Sequence, residues 1–169
     1  MADVIVSAML IRDARMDDLA AINGIYNHYV LTSTCTMQLD PSTHAERAEW
    51  FLAHGGRYPA VVGEIDGEIV GWASLSPYHA RPGYRPAVED SIYVRHDRRA
   101  RGVGGKLLAE LLGRATAFGH HTVIGMIASD QPPSLALHVR FGFEKVAHLR
   151  EVGEKFGQRL DVVFMQKML

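Results

Sequence analysis

At 169 residues with 47% hydrophobic content, the chain can bury a core of its own, and no repeat, low-complexity tract or long linker divides it. A formal charge of −1 gives no overall attraction to nucleic acid or to an acidic membrane, so neither is an expected partner. The single cysteine, Cys35, excludes an internal disulfide and suits a reducing compartment, which predicts a cytoplasmic protein of one domain, residues 1–169.

Residues 1–10 are apolar, but Asp3 stands where a targeting segment would carry basic residues. They read as an extension or an edge strand. Ile11 to Arg15 reads as the end of a first strand. Asp17 or Asp18 can cap a helix with Leu19, Ile22, Tyr26 and Tyr29 on its inner face. Asn27 to Pro41 is a long polar connection, rich in threonine. Thr43-x-x-Glu46 forms a capping box for a second helix that ends at Gly55-Gly56. Two strands, 60–65 and 68–75, flank Asp66-Gly67, a type I′ hairpin signal. A loop from Pro77 to Pro86 leads into a strand over 87–94.

The next stretch, YVRHDRRARGVGGKLLAELL, carries the strongest signal. Strand residues lead through a charged turn to Gly102, Gly104 and Gly105 at the mouth of a helix. In that helix Leu107, Leu108, Leu111, Leu112, Ala115 and Phe118 form one stripe, with Gly119 as the stop. Unpaired N–H groups and the helix dipole make such a terminus an anion site, with a pyrophosphate as the natural guest. A Walker A loop is excluded because Leu107 follows Gly105-Lys106 and Ala100 replaces the first glycine; Leu107 also breaks a dinucleotide fingerprint. The basic run Arg95, Arg98, Arg99 and Arg101 lacks the interleaved aromatics of a nucleic-acid surface. Further on come a buried strand over 122–128 and a short helix from Pro133 and Ser134 to Phe141, closed by Gly142. Two last strands, 143–152 and 160–168, flank a turn at Gly153 and Gly157. The scattered histidines, His120-His121 included, offer no metal-ligand spacing, and no metal is expected.

Arg99-x-x-Gly102-x-Gly104, five residues after Val94, resembles the acetyl-CoA loop of the GNAT-type N-acetyltransferase superfamily, and the order β-α-α-β-β-β-α-β-α-β-β resembles that family's order. Relatives in the family carry a Tyr four residues before a Gly-Phe pair; here Gly142-Phe143 puts His138 there. A His at that place, with Glu89 opening the preceding strand, resembles the phosphinothricin and methionine sulfoximine or sulfone N-acetyltransferases. Ile25-x-Asn27-His28-Tyr29-Val30, Arg81-x-x-Tyr84 and Lys155-Phe156-Gly157-x-x-x-Asp161 extend the likeness from about residue 11 to 169.

The resemblance implies an α/β fold of the GNAT acyl-CoA N-acyltransferase type, a mixed central sheet of about seven strands flanked by about four helices, and a homodimer. It implies acetyl-CoA as co-substrate and a small amino-acid-like acceptor. Glu89 is the expected base, with His138 beside it as a second proton carrier or as acid toward the thiolate. The strand Ile92, Tyr93, Val94 and the loop Arg99, Ala100, Arg101, Gly102, Val103, Gly104, Gly105 and Lys106 are expected to hold the cofactor, with Gln131 and Ser134 along its pantetheine arm. Arg81 is the expected fork for a carboxylate or phosphinate-like group, with Tyr84, Ser91, His79 and Met37 around the substrate. Gln131, Met37 and His79 depart from the residues common in relatives (Asn, an aromatic, and Lys or Arg). Two other readings stay open: acetylation of a polyamine, antibiotic or protein N-terminus, and a non-catalytic acyl-CoA-binding module.

Overall fold

The computed structural model describes residues 8–169, with the elements β1 (Leu10–Asp13), α1 (Leu19–Thr32), α2 (His44–Leu52), β2 (Ala60–Ile65), β3 (Glu68–Pro77), β4 (Ala87–Val94), α3 (Val103–Ala117), β5 (Thr122–Ala128), α4 (Pro132–Arg140), β6 (Glu144–Lys155) and β7 (Gln158–Met168). Short 3-10 turns stand at Met16–Asp18, Pro82–Tyr84 and His96–Arg98. Of the expected N-terminal extension, residues 1–7 lie outside the described residues; Leu10 opens the edge strand.

Seven strands form one sheet in the order β1-β2-β3-β4-β5-β7-β6. All pairings are antiparallel except β4 with β5. A parallel pair needs a long crossover, and α3 supplies it. The hairpin between β2 and β3 turns on Asp66 and Gly67 at φ 52° and 79°, the paired left-handed conformation of a type I′ turn.

The strand period of two divides the core into two layers. On one face Leu107, Leu108 and Leu111 of α3 are fully buried against Val61, Val70 and Val88. On the other, Leu19, Ile22 and Ile25 of α1 pack on Val62 and Trp72. Gly71 lets α3 lie close, because a Cβ there would stand 3.0 Å from the Tyr93 carbonyl and 3.1 Å from Leu107. Phe118 does not continue the α3 stripe; it caps the helix end and is exposed.

The capping box of α2 forms as expected: the Glu46 N–H donates to Thr43 Oγ1 (3.2 Å) and the Thr43 N–H to Glu46 Oε2 (2.7 Å). Helix α2 stops at Leu52, short of the glycines. Near the C-terminus, β6 runs through Gly153 with a bulge, so the turn is Phe156-Gly157 alone.

Asp18 differs in kind from the expected cap. Its carboxylate accepts from Arg12 Nη1 (2.7 Å), Arg12 Nη2 (2.9 Å) and the Arg15 N–H (2.7 Å), tying β1 to the start of α1. The Arg12 guanidinium holds the Asp18 carboxyl below the usual carboxylate range. Asp18→Ala is expected to lower stability by about 2 kcal/mol, read from the urea midpoint. A depressed folded-state pKa stabilises above the unfolded value near pH 4 and is lost as pH falls through the folded one. The wild-type excess over Asp18→Ala should therefore be constant at neutral pH and shrink in acid.

Candidate active site

Strands β4 and β5 pair only through Ala87–Thr122, Val88–Val123 and Glu89–Ile124. Beyond Glu89, β4 stays on β3 and β5 stays on β7, so a gap opens between them. The Arg95 N–H bonds the Val70 carbonyl on β3. By the two-residue period the N–H groups of Tyr93 and Ser91 also face β3, while those of Ile92 and Val94 face the gap. The Val94 carbonyl faces it too and accepts from the Tyr29 hydroxyl. The gap belongs to a cleft of about 1070 Å³.

At its α3 end the backbone turns through φ 59° at Ala100 and 79° at Gly102. A left-handed alanine costs about 1 kcal/mol, strain that the surrounding loop must hold. The first helical N–H to find a carbonyl is that of Lys106, on Gly102 at 3.1 Å. The N–H groups of Val103, Gly104 and Gly105 therefore lack helical partners at the positive end of the dipole.

Of the basic run, Arg95 pairs with Asp97 and Glu68, and Arg98 with Glu68. Arg99 lies 5.4 Å over the Tyr29 ring and lines the cleft. Arg101 and Lys106 are exposed and stand outside the cleft lining. Arg140, not anticipated from sequence, rests on Gly105: a Cβ there would stand 2.7 Å from its Nη2. A guanidinium against a positive helix end is balanced when an anion lies between them. These orphaned amides with two flanking arginines fit the diphosphate of CoA.

On the far wall, Gln131 Nε2 donates to Thr34 Oγ1 (2.8 Å), and the Ser134 carbonyl accepts from His138 Nδ1 (2.8 Å). The other ring nitrogen of His138, Nε2, meets Asp90 Oδ2 at 3.0 Å. This corrects the expected neighbourhood of His138. Alternation sends Glu89 to the face covered by α1 and α2, while Asp90 faces α4, so Asp90 and not Glu89 holds the imidazole. Both ring nitrogens are thereby engaged. Burial pulls the His138 pKa down, but the hydrogen bond and charge of Asp90 outweigh it, and the net direction is upward. Asp90 Oδ1 is buried without a partner among the described residues.

Of the other expected residues, Glu89, Ile92, Tyr93, Ser91 and Met37 line the cleft. Met37 sits on Gly153 of β6, where a Cβ would stand 2.7 Å from its sulfur. Glu89 is half-buried; burial and then the charge of Asp90 raise its pKa. His79, Arg81 and Tyr84 are not brought to this cleft: they lie exposed on the β3–β4 connection, with the His79 and Tyr84 rings 4.8 Å apart. What sequence reading missed besides Arg140 is Asp90 and the Arg47–Trp50 side of α2. The same alternation that singled out Glu89 marks Asp90, and an arginine three residues before a tryptophan on one helix face marks the other.

The acetyltransferase (GNAT) family profile matches residues 22–143. The L-methionine sulfoximine/L-methionine sulfone acetyltransferase of Pseudomonas paraeruginosa is 41% identical over 158 residues, 92% of either chain. The chain belongs to the GNAT family of acetyltransferases. The L-amino acid N-acyltransferase of Escherichia coli is 41% identical over 163 residues, covering 95% of this chain and 94% of that one. A GNAT phosphinothricin acetyltransferase from Sinorhizobium meliloti, solved in complex with acetyl-CoA, superposes with a TM-score of 0.93 at 40% identity, covering 95% of this chain and 88% of that one. As a GNAT enzyme the protein is an acetyl-CoA-dependent N-acetyltransferase, and the mixed sheet expected from sequence is that of the family. Among the described residues no group of His, Cys, Asp and Glu could hold a metal ion, and no helix is long and apolar enough to cross a membrane.

Gly125 of β5 makes room for the buried pair: a Cβ there would stand 3.0 Å from His138 Nε2 and 3.1 Å from Asp90 Oδ1. Gly125→Ala is expected to break the contact and lower kcat at least 10-fold, measured by thiol release with saturating acetyl-CoA. The raised histidine pKa adds stability that is complete below about pH 6.5 and is lost as pH rises through the folded value. Melting temperature against pH should show that slope in the wild type and not in His138→Asn.

Proposed function

We propose that the protein moves the acetyl group of acetyl-CoA to the α-amino group of a small amino acid or analogue of the methionine sulfoximine, methionine sulfone or phosphinothricin type. The observation that carries this reading is the Glu89 carboxylate, unpaired among the described residues, at the point where β4 and β5 part, in a cleft whose other end offers orphaned amides and arginines to a diphosphate. Three relatives of this similarity act, by their names, on small amino acids or close analogues, which supports the acceptor class.

An α-ammonium group has a pKa of about 8 and must lose a proton before it can attack a thioester. Glu89 is the base, acting directly or through one water, and its raised pKa makes it a stronger one. The Val94 N–H, turned into the gap, donates to the thioester oxygen as negative charge develops there. The nitrogen lone pair forms the C–N bond, the C–S bond breaks, and the proton shed by the nitrogen passes to the leaving sulfur. His138 and Asp90 serve as one fixed unit on the cofactor side, because neither imidazole nitrogen is free to take a proton while both contacts hold.

Glu89→Gln keeps the shape and removes the base. The expected result is a loss of 10²–10⁴-fold in kcat, roughly the worth of general-base catalysis, with CoA affinity by calorimetry unchanged. The acid limb of the wild-type kcat/KM profile should lie above the usual glutamate value of about 4.3 and disappear in the variant. Full activity in Glu89→Gln would remove the base assignment. A panel of methionine sulfone, methionine sulfoximine, phosphinothricin, a polyamine and a peptide N-terminus tests the acceptor; preference for either of the last two would overturn the amino-acid reading.

A further inference from the structure

On the face of the sheet opposite His138, one buried charged side chain of the cleft lining has no counter-charge among the described residues. Arg47 of α2 is only 4% exposed, yet among the described residues it has no carboxylate partner. Its Nε donates to Asn23 Oδ1 at 3.2 Å, and no described residue accepts from either Nη. The guanidinium carbon lies 4.5 Å from the Tyr26 ring centre, 4.9 Å from that of Trp50 and 5.6 Å from that of Trp72. Aromatic rings stabilise a cation through their π faces but offer its N–H edge no acceptor. Burial alone disfavours this charge, and an arginine stays protonated regardless.

Arg47, Tyr26, Trp50 and Trp72 all line the cleft that also holds Glu89. Trp72 is the β3 partner of Tyr93, and both sit on the face to which Glu89 and Ser91 point. Glu46, the α2 carboxylate in the cleft lining, is exposed and committed to the backbone and hydroxyl of Thr43. Trp72 Nε1 is a further buried donor without a partner among the described residues. The pocket beyond Glu89 thus has surplus donors held in a desolvated aromatic cage, the environment in which a forked ion pair with a planar two-oxygen anion is strongest.

We propose that Arg47 is the receptor for the substrate's α-carboxylate, which selects amino acids over plain amines. The inference rests on the amino-acid reading above and adds the residue that enforces it. Arg81, the residue the sequence favoured for this task, lies exposed outside the cleft.

The experiment compares wild type, Arg47→Met and Arg47→Lys on methionine sulfone, on its decarboxylated amine, 3-(methylsulfonyl)propylamine, and on norleucine, with CoA titration reporting an intact cofactor half. Wild type should prefer methionine sulfone to the amine. Arg47→Met should lose roughly 100-fold or more in kcat/KM on both amino acids, mostly through KM, and change little on the amine. Arg47→Lys keeps a cation but not the fork, so it should fall between them; it also decides the matter should Arg47→Met fail to fold. An unchanged KM for methionine sulfone in either variant overturns the proposal, and so does an equal loss on amine and amino acid. A wild type that acetylates none of these amino acids would instead sink the proposed function, which separates the two failures.

Discussion

The parting of β4 from β5 is the constraint on which the rest depends. Three residue pairs hold the two halves of the sheet together, and after Glu89 the parallel ladder is abandoned. A sheet that gives up a ladder in its middle exposes N–H and C=O groups that need other partners. Here Val94 gives its carbonyl to Tyr29 and keeps its N–H turned into the gap. An extended ligand with its own amides can complete what the missing strand would have supplied, so the cofactor cleft is a consequence of how the sheet is wound.

That winding also assigns the chemistry to two faces. Adjacent residues of one strand point to opposite sides, so Glu89 and Asp90 cannot share a task despite being neighbours in the chain. Glu89 looks toward α1 and α2, where Arg47 and the aromatic residues wait. Asp90 looks toward α4 and locks His138 between itself and the Ser134 carbonyl. In the proposed reaction the amine would be handled on one side and the thioester on the other, with the gap between them.

Both faces hold charge in places where charge is costly. The positive end of α3 meets the Arg140 guanidinium, and among the described residues Arg47 sits buried without a carboxylate and Asp90 leaves one oxygen unpaired. Each feature weakens the ligand-free protein and strengthens a complex with an anion or donor of the right shape. The buried leucines of α3 and the Arg12–Asp18 tie supply the stability against which these local costs are set.

Much of this was legible in the sequence, wherever the cause is local. The type I′ turn at Asp66-Gly67, the capping box at Thr43 and the glycines before α3 follow from backbone preferences within four residues. The period of two or 3.6 then places most strands and helices, and motifs spread along the chain point to the family. What tertiary structure alone decided is pairwise and long-range. Asp90 meets His138 across 48 positions, Arg47 of α2 meets Trp72 of β3 with β2 between them in the chain, and Arg81 lies outside the cleft lining. Periodicity tells which face a side chain takes but not what stands opposite it, because that depends on where β4 and β5 cease to pair.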